Sequence, residues 1–207
     1  MLDFKGFDLW ADGYDRTVAL SADLEEYPFA GYRLVLGTIY DRIRRAKGLK
    51  VLDLGIGTGV LAKKLYSDGY QIYGVDFSEK MLAIAAGAMP GAQLARWDFA
   101  RGLPENWAEE RFDFIVSTYA LHHLTDAQKT PLIRQLQKRL NPDGALLIGD
   151  VAFETRAQQE TCRAACGALW DDEEHYFVLE TLRQDFDGVR FEKCSFCAAV
   201  LQFDPLG

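Results

Sequence analysis

The sequence lacks the features of a membrane protein and of a nucleic-acid-binding protein. No run of apolar residues approaches the roughly 20 that a membrane-spanning helix needs. The opening stretch MLDFKGFDLWADGYD carries acids and has neither the basic start nor the apolar core of a signal peptide, which indicates a cytoplasmic location. Lysine and arginine number 23 against 31 aspartates and glutamates, a formal net charge of −8. Because nucleic-acid binding normally requires a basic surface, we expect no nucleic-acid and no membrane partner.

Cysteine is scarce, and its spacing does not favour a metal site. Cys194 and Cys197 form a C-x-x-C pair inside a segment with the pattern of two paired strands, not of a zinc knuckle. Cys162 and Cys166 lie one helical turn apart in a predicted helix, where small thiols simply pack. We therefore expect four reduced thiols and no metal site, with a zinc or redox site as the alternative.

The chain also lacks linkers, repeats and low-complexity segments. Its 207 residues, 49% of them apolar, suit one domain with a substantial core. We divide that single domain into four parts. They are an N-terminal arm (1–28), a ligand-binding core (50–150), cover helices (151–187) and C-terminal strands (188–207).

The stretch VLDLGIGTG, residues 51–59, organises the chain. Val51, Leu52 and Leu54 predict a buried strand, and three glycines follow at alternate positions. Thr58 is predicted to cap the next helix. A strand, a glycine turn and a helix N-terminus together commonly form the binding site of a small, partly anionic molecule.

Further strands alternate with helices along the chain. The patterns predict strands at 71–76, 92–97, 112–117 and 145–150, helices at about 30–46, 155–170 and 177–186, and a C-terminal pair of strands. Ser78 is a predicted N-cap, and Pro131 leaves the start of the helix before the turn at 141–144 uncertain. This alternation indicates an α/β protein with a mainly parallel sheet, whose ligands bind at the carboxyl ends of the strands.

Acidic residues end several of these strands. Asp76 ends the second strand, where a carboxylate can accept both hydroxyls of a ribose, although it can equally cap a helix. Asp98 can accept from an adenine amino group while Phe99 packs the ring, or can simply close a turn. Phe77 and Met81 follow Asp76 and can lie against the adenine, with Met81 in the core as the alternative.

The motifs together resemble the class I S-adenosylmethionine-dependent methyltransferases over nearly the whole chain. The matching pieces are Asp53 with Gly55, Gly57 and Gly59, then GVDFS, Asp98-Phe99, IVSTYALHHLTD and LNPDGALLIGD. More narrowly, FDLWADGYDRTV followed by STYALHHL is similar to the YrrT-like small methyltransferases of Gram-positive bacteria.

The resemblance implies a Rossmann-like, seven-stranded, mainly parallel sheet with its last strand antiparallel and helices on both faces. It implies S-adenosylmethionine as cofactor, lying across the glycine turn, and a small-molecule methyl acceptor. The monomer or homodimer question stays open. The predicted cofactor-binding residues are Trp10, Tyr14, Asp53, Gly55, Ile56, Gly57, Asp76, Phe77, Met81, Asp98, Phe99 and Ser117.

Methyl transfer from a sulfonium needs alignment of the nucleophile and exclusion of water more than it needs a catalytic triad. The candidates to face the methyl group are Tyr14, Tyr119, His122 and His123. Of these, His122 and Tyr14 are the catalytic candidates, since a histidine can take a proton near neutral pH. Trp10 and Tyr14 share one helix face in the arm, which we expect either to fold over the cofactor or only to pack.

Two rival functions remain at this point. A nucleotide-dependent oxidoreductase is disfavoured because Val60 replaces the third glycine of the G-x-G-x-x-G motif, and because no Tyr-x-x-x-Lys dyad is apparent. A module that binds the cofactor without turnover is the other rival. The acids Asp53, Asp76 and Asp98 favour cofactor binding under either reading.

Overall fold

A mainly parallel sheet runs through the part of the chain that the computed structural model describes, residues 26–206. Trp10 and Tyr14 lie outside these residues. The strands are β1 (Lys50–Leu54), β2 (Gln71–Asp76), β3 (Gln93–Arg96), β4 (Phe112–Thr118), β5 (Leu140–Phe153), β6 (Phe177–Val178), β7 (Arg190–Lys193) and β8 (Ala198–Phe203). The helices are α1 (Tyr32–Arg45), α2 (Val60–Ser67), α3 (Glu79–Ala88), α4 (Asp126–Gln137), α5 (Arg156–Cys166) and α6 (Leu179–Asp185).

The strands lie in the order β3-β2-β1-β4-β5-β8-β7, and the short β6 pairs with the end of β5. Neighbours from β3 through β5 are parallel. β8 is antiparallel to both β5 and β7, so β8 alone is reversed relative to the others. The predicted seven-stranded sheet with an antiparallel last strand is thus confirmed, and β6 is an addition to it.

The core has two halves, one on each face of the sheet. Successive strand residues point to opposite faces, so Leu52 and Leu54 of β1 join one half while Val51 joins the other. α4 and α6 cover the first face, with Leu136 and Leu182 buried against it. The other face is covered by α1, α2 and α3, whose buried residues include Val35, Ile39, Ile43, Leu61, Leu65 and Ala85. The prediction of helices on both faces is confirmed.

The ends of several helices and strands differ from the predictions. The N-cap of α2 is Gly59 in the left-handed conformation, so the Thr58 cap is wrong. The turn predicted at 141–144 lies within the long β5, beside a register shift against β4. Pro131 lies inside α4, which begins earlier at a capping box made by Thr125 and Gln128. The Ser78 cap is confirmed, since its side chain accepts from the backbone N–H of Met81.

The segment after β5 is also less helical than predicted. α5 ends at Cys166 and continues only as a short 3-10 turn at Gly167–Leu169. The first two residues of the helix predicted at 177–186 instead form β6, because they extend the sheet against β5. None of the four cysteines forms a disulfide with another described residue. Across residues 26–206, no helix is both long enough and apolar enough for a membrane crossing.

Candidate active site

A cleft of about 700 Å³, counting its open mouth, lies at the carboxyl ends of β1, β2 and β4. Eight of the predicted cofactor-binding residues line it. They are Asp53, Gly55, Ile56, Gly57, Asp76, Phe77, Met81 and Phe99. The cleft therefore gathers the glycine turn, the acid at the end of β2 and the apolar residues that follow it.

The glycine turn leaves its backbone open toward this cleft. Gly57 has a φ of 55°, and a Cβ built on it would meet nothing within 4 Å. Gly59, with a φ of 80°, packs against the Met89 side chain instead. Because Gly57 presents bare backbone to open space, a ligand can approach its peptide closely.

Asp76 is held by the turn it faces. Its Oδ2 accepts from the backbone N–H of Gly57 and its Oδ1 from that of Ser78, both at 2.9 Å. The side chain is buried, with only 7% of the residue exposed. A carboxylate oxygen has two lone pairs and can accept more than one hydrogen bond.

Asp53, at the end of β1, is the cleft's uncompensated acid. It is 2% exposed, and its Oδ1 has no hydrogen-bond partner among the described residues. Burial, reinforced by repulsion from the Asp76 carboxylate, raises the pKa of Asp53 to about 8. A bound cation would favour the ionised carboxylate and relieve this cost.

Two predicted cofactor residues do not line the cleft. Asp98 points back to its own turn, where Oδ1 accepts from the Ala100 N–H at 3.0 Å, and its side chain is 57% exposed. Ser117 is buried in the sheet and donates to the carbonyl of Leu54 at 2.9 Å. The roles assigned to these two residues stay predictions.

The cleft lining also includes two tyrosines, Tyr32 and Tyr119. Tyr119 follows β4 with a φ of 50°, the one positive φ of a non-glycine residue in the described chain. Its ring packs against Phe29 and Tyr32, with centroids 5.4 and 5.2 Å away. The buried Tyr119 hydroxyl has no partner among the described residues. Burial is the main cause that raises the pKa of Tyr119, and the negative charge of Asp150 raises it further. The hydroxyl therefore remains protonated.

The two adjacent histidines occupy different places. His123 lines the cleft, whereas His122 lies behind it with its Nδ1 2.6 Å from Oδ1 of the buried Asp150. Burial opposes charge on His122, but Asp150 outweighs it and the pKa of His122 is raised. The pKa of His123 is lowered to about 4, mainly by burial and secondly by the charge of the His122 imidazole. The ring that faces the cleft is therefore neutral at physiological pH.

Sequence reasoning missed several lining residues. These are Tyr32, Thr58, Val60, Leu61, Thr118 and Ala120. Four of them are sequence neighbours of predicted site residues, on the glycine turn or after β4. Adjacency to a motif could therefore have predicted that they line the cleft. Tyr32 begins α1, far from any motif, and only the packing of α1 on the sheet brings it to the cleft.

The fold and the cleft define a Rossmann-like class of protein that binds its ligand over a glycine turn. The "methyltransferase domain" family model matches residues 51–144. An uncharacterized methyltransferase of Geobacillus kaustophilus is 35% identical over 204 residues, covering 95% of this chain and 89% of the relative. The uncharacterized methyltransferase YrrT of Bacillus subtilis is 34% identical, covering 89% and 87%.

Solved structures share the fold. The DhpI complex with S-adenosylhomocysteine (SAH) superposes with a TM-score of 0.71 at 15% identity, covering 98% of this chain and 94% of the other. The magnesium protoporphyrin IX methyltransferase of Synechocystis with bound SAH gives a TM-score of 0.65 at 18% identity, covering 84% and 83%. The chain belongs to the S-adenosylmethionine-dependent methyltransferases, in the family of YrrT and its Gram-positive relatives.

Its cofactor is S-adenosylmethionine. Two features of the cleft fit that molecule. The bare backbone at Gly57 allows close approach, and the partnerless Oδ1 of the buried Asp53 suits a ligand that carries positive charge.

Proposed function

We propose that this methyltransferase acts on a small molecule that enters the cleft on the side of Tyr32, Tyr119 and His123. The observation that carries the proposal is that two kinds of residue line one cleft. We assign the acids and the glycine turn to one side, and the aromatic rings with a neutral imidazole to the other. A cleft so divided suits a cofactor and a compact acceptor side by side.

On the first side, the chain's residues hold and orient the cofactor. Asp76 would accept from the ribose hydroxyls, because Gly57 and Ser78 already fix its carboxylate. Phe77, Met81 and Phe99 offer apolar surface for the adenine. S-adenosylmethionine supplies a methyl group with its leaving group already attached, so the protein's task is alignment and exclusion of water.

On the second side, two polar groups would hold the acceptor. The Tyr119 hydroxyl is buried without a described partner, and a ligand atom would satisfy it. One nitrogen of the neutral His123 ring would hydrogen-bond to the acceptor. The left-handed backbone of Tyr119 supports this role, because strained residues concentrate at binding sites.

His122 does not line the cleft, since its ring lies behind that of His123, 4.2 Å away between centroids. If it contributes to catalysis, it acts through His123 as a positioning residue. The catalytic candidacy of His122 and of Tyr14, the arm as a cover and the choice between monomer and homodimer stay predictions. So does the cytoplasmic location.

The test is a transfer assay with a radiolabelled methyl donor. The protein is incubated with labelled S-adenosylmethionine and a cell extract, which is then separated into low-molecular-mass, protein and nucleic-acid fractions. We expect label in the low-molecular-mass fraction, and much less of it with Asp76→Ala. Label in protein or nucleic acid would overturn the small-molecule acceptor. Calorimetry with SAH and with NAD on the same sample separates cofactor binding from turnover, and we expect only SAH to bind.

A further inference from the structure

Three ligand-type side chains converge immediately beside the acceptor side of the cleft. His122, His123 and Glu174 each offer one atom, and these atoms lie within 4.8 Å of one another. His122 Nε2 is 3.5 Å from Glu174 Oε1, and His123 Nδ1 is 3.9 Å from the same oxygen. The histidines follow β4, whereas Glu174 comes from the loop before β6, so the tertiary fold assembles this cluster.

Hydrogen bonds outside the cluster fix two of its three members. Asp150 Oδ1 lies 2.6 Å from His122 Nδ1, which leaves the Nε2 lone pair directed at Glu174 when Nδ1 carries the proton. The Tyr176 hydroxyl donates to Glu174 Oε2 at 2.7 Å, and Tyr27 bonds to the same hydroxyl. In proteins, a metal-binding histidine is commonly oriented by a hydrogen bond to a carboxylate, and a metal-binding carboxylate by a hydrogen bond from a donor.

The spacing also suits a metal ion. Metal–nitrogen and metal–oxygen bonds of about 2.0–2.2 Å at tetrahedral angles place neighbouring ligand atoms roughly 3.4 Å apart. The two histidine–glutamate separations, 3.5 and 3.9 Å, are equal to or somewhat longer than this value, and the two histidine nitrogens lie within 4.8 Å of each other. Side-chain rotation of His123 and Glu174, which are only partly buried, would close the difference.

Charge in this region permits a dication. Glu174 lies in the cluster and Asp150 faces it, Asp171 also acts on His123, and Lys129 is a nearby cation among the described residues. The Lys129 ammonium is bound by the His175 carbonyl and by Asp126. Two imidazoles and one carboxylate select a first-row transition metal, because Mg²⁺ and Ca²⁺ prefer sites made of oxygen.

We propose that His122 Nε2, His123 Nδ1 and Glu174 Oε1 form a site for a divalent transition metal at the acceptor side of the cleft. This inference rests on the proposed function for its role: the ion would bind the acceptor's oxygen or nitrogen at an open coordination position. The acceptor's O–H or N–H bond would break with its electron pair retained on the heteroatom, and the proton would pass to water. The nucleophile would then be ready beside the methyl donor. The proposed site contains none of the four cysteines that the sequence offered as possible metal ligands.

The test is titration of chelator-treated full-length protein with Zn²⁺ alone, followed by calorimetry and by metal analysis after gel filtration. We expect one equivalent of tightly bound Zn²⁺. Glu174→Gln and His123→Asn each remove a ligand, and we expect each to weaken Zn²⁺ binding by at least about 100-fold, above the 10–100-fold typical of outer partners. Circular dichroism shows whether each variant is folded, and two variants on different segments guard against misfolding of one.

Matched controls make the result specific. Glu173→Gln changes the same charge one residue away on an exposed side chain, and Cys166→Ser with Cys194→Ser removes two accessible thiols. We expect all three to bind Zn²⁺ as the parent does. Absence of stoichiometric Zn²⁺, equal loss in Glu173→Gln and Glu174→Gln, or loss in the cysteine variants would overturn the site. SAH calorimetry on the same samples distinguishes the two proposals, since a failed metal site with intact SAH binding leaves the proposed function standing.

Discussion

The two sides of the cleft hold buried polar groups in different ways. On the cofactor side, Asp53 and Asp76 place two acids close together, and Asp53 Oδ1 has no described partner. Behind the acceptor side, His122 and Glu174 are held by the hydrogen bonds of Asp150 and Tyr176. Asp53 is thus costly to bury without ligand, whereas His122 and Glu174 are held in place in advance.

This difference shows how one cleft can serve two tasks. A buried acid whose pKa is raised favours a cationic ligand, because the ligand's charge stabilises the ionised carboxylate. Braced side chains favour precise placement of a second molecule, because little reorganisation is needed when it arrives. The predictions that follow alter one side and ask whether the other responds.

The largest effect is expected at Asp76. Asp76→Ala removes the acceptor for two hydroxyls, and we expect SAH affinity to fall by on the order of 2–4 kcal/mol, roughly 30- to 1000-fold. The melting temperature should fall as well, because the N–H groups of Gly57 and Ser78 lose their acceptor. Calorimetry and thermal unfolding measure the two effects separately.

Asp98→Ala is the control, since that carboxylate is largely exposed and lies away from the cleft lining. We expect it to cost less affinity than Asp76→Ala. The reverse order would show that the adenosine depends on the Asp98 loop and not on Asp76.

The next effect concerns the pH dependence of Asp53. With its pKa near 8, Asp53 is largely protonated in the free protein at neutral pH, and a cationic ligand favours its ionised form. The affinity for S-adenosylmethionine, whose sulfonium carries positive charge, should therefore rise with pH up to about 8, by at most about tenfold per unit, or about 1.4 kcal/mol. Calorimetry between pH 6 and 9 measures this, and in Asp53→Asn the contribution of this group should vanish. An unchanged profile in the variant would remove Asp53 from the cofactor side.

Stability of the free protein should move in the opposite direction. The folded pKa of Asp53 lies above its ordinary value of 3.8, so the folded state binds the proton more tightly than the unfolded state. That contribution is fully present below about pH 4 and is lost as pH rises through about 8. Asp53→Asn should remove this decline, as urea unfolding across the same pH range would show.

A third test compares two glycines that both have a positive φ, one that lines the cleft and one that does not. Gly57 and Gly69 have φ of 55° and 93°, and a Cβ on either would meet nothing within 4 Å. Alanine at each should cost about 1–2 kcal/mol of stability through left-handed strain. Only Gly57→Ala should also weaken SAH binding, because its Cβ would occupy space in the cleft. Equal SAH affinity in both variants would mean that the cofactor does not approach this backbone.

Much of the cofactor side could be predicted because its residues lie in contiguous motifs. Residues 51–59 encode a strand, a turn and a helix start locally, so Asp53 and Gly57 are brought together by neighbouring backbone alone. The acceptor side depends on distant pairings. Glu174 reaches His122 because the backbone N–H of His175 donates to the His122 carbonyl and because β6 pairs with the end of β5. A two-residue strand leaves no periodic pattern to detect.

The last and smallest effect is expected at Tyr119, where strain and a partnerless hydroxyl coincide. Tyr119→Phe keeps the ring that packs on Phe29 and Tyr32 but removes the hydroxyl. Without ligand, stability should stay equal or rise by up to about 1 kcal/mol, because no described hydrogen bond is lost. If the hydroxyl donates to the acceptor, kcat/KM should fall by about 2- to 10-fold, the worth of one neutral hydrogen bond, while SAH affinity is unchanged. Tyr176→Phe is the matched control, since its hydroxyl does have a partner in Glu174 and its loss should lower stability. A fall in SAH affinity with Tyr119→Phe would move the hydroxyl to the cofactor side, and the division of the cleft at Tyr119 would then be wrong.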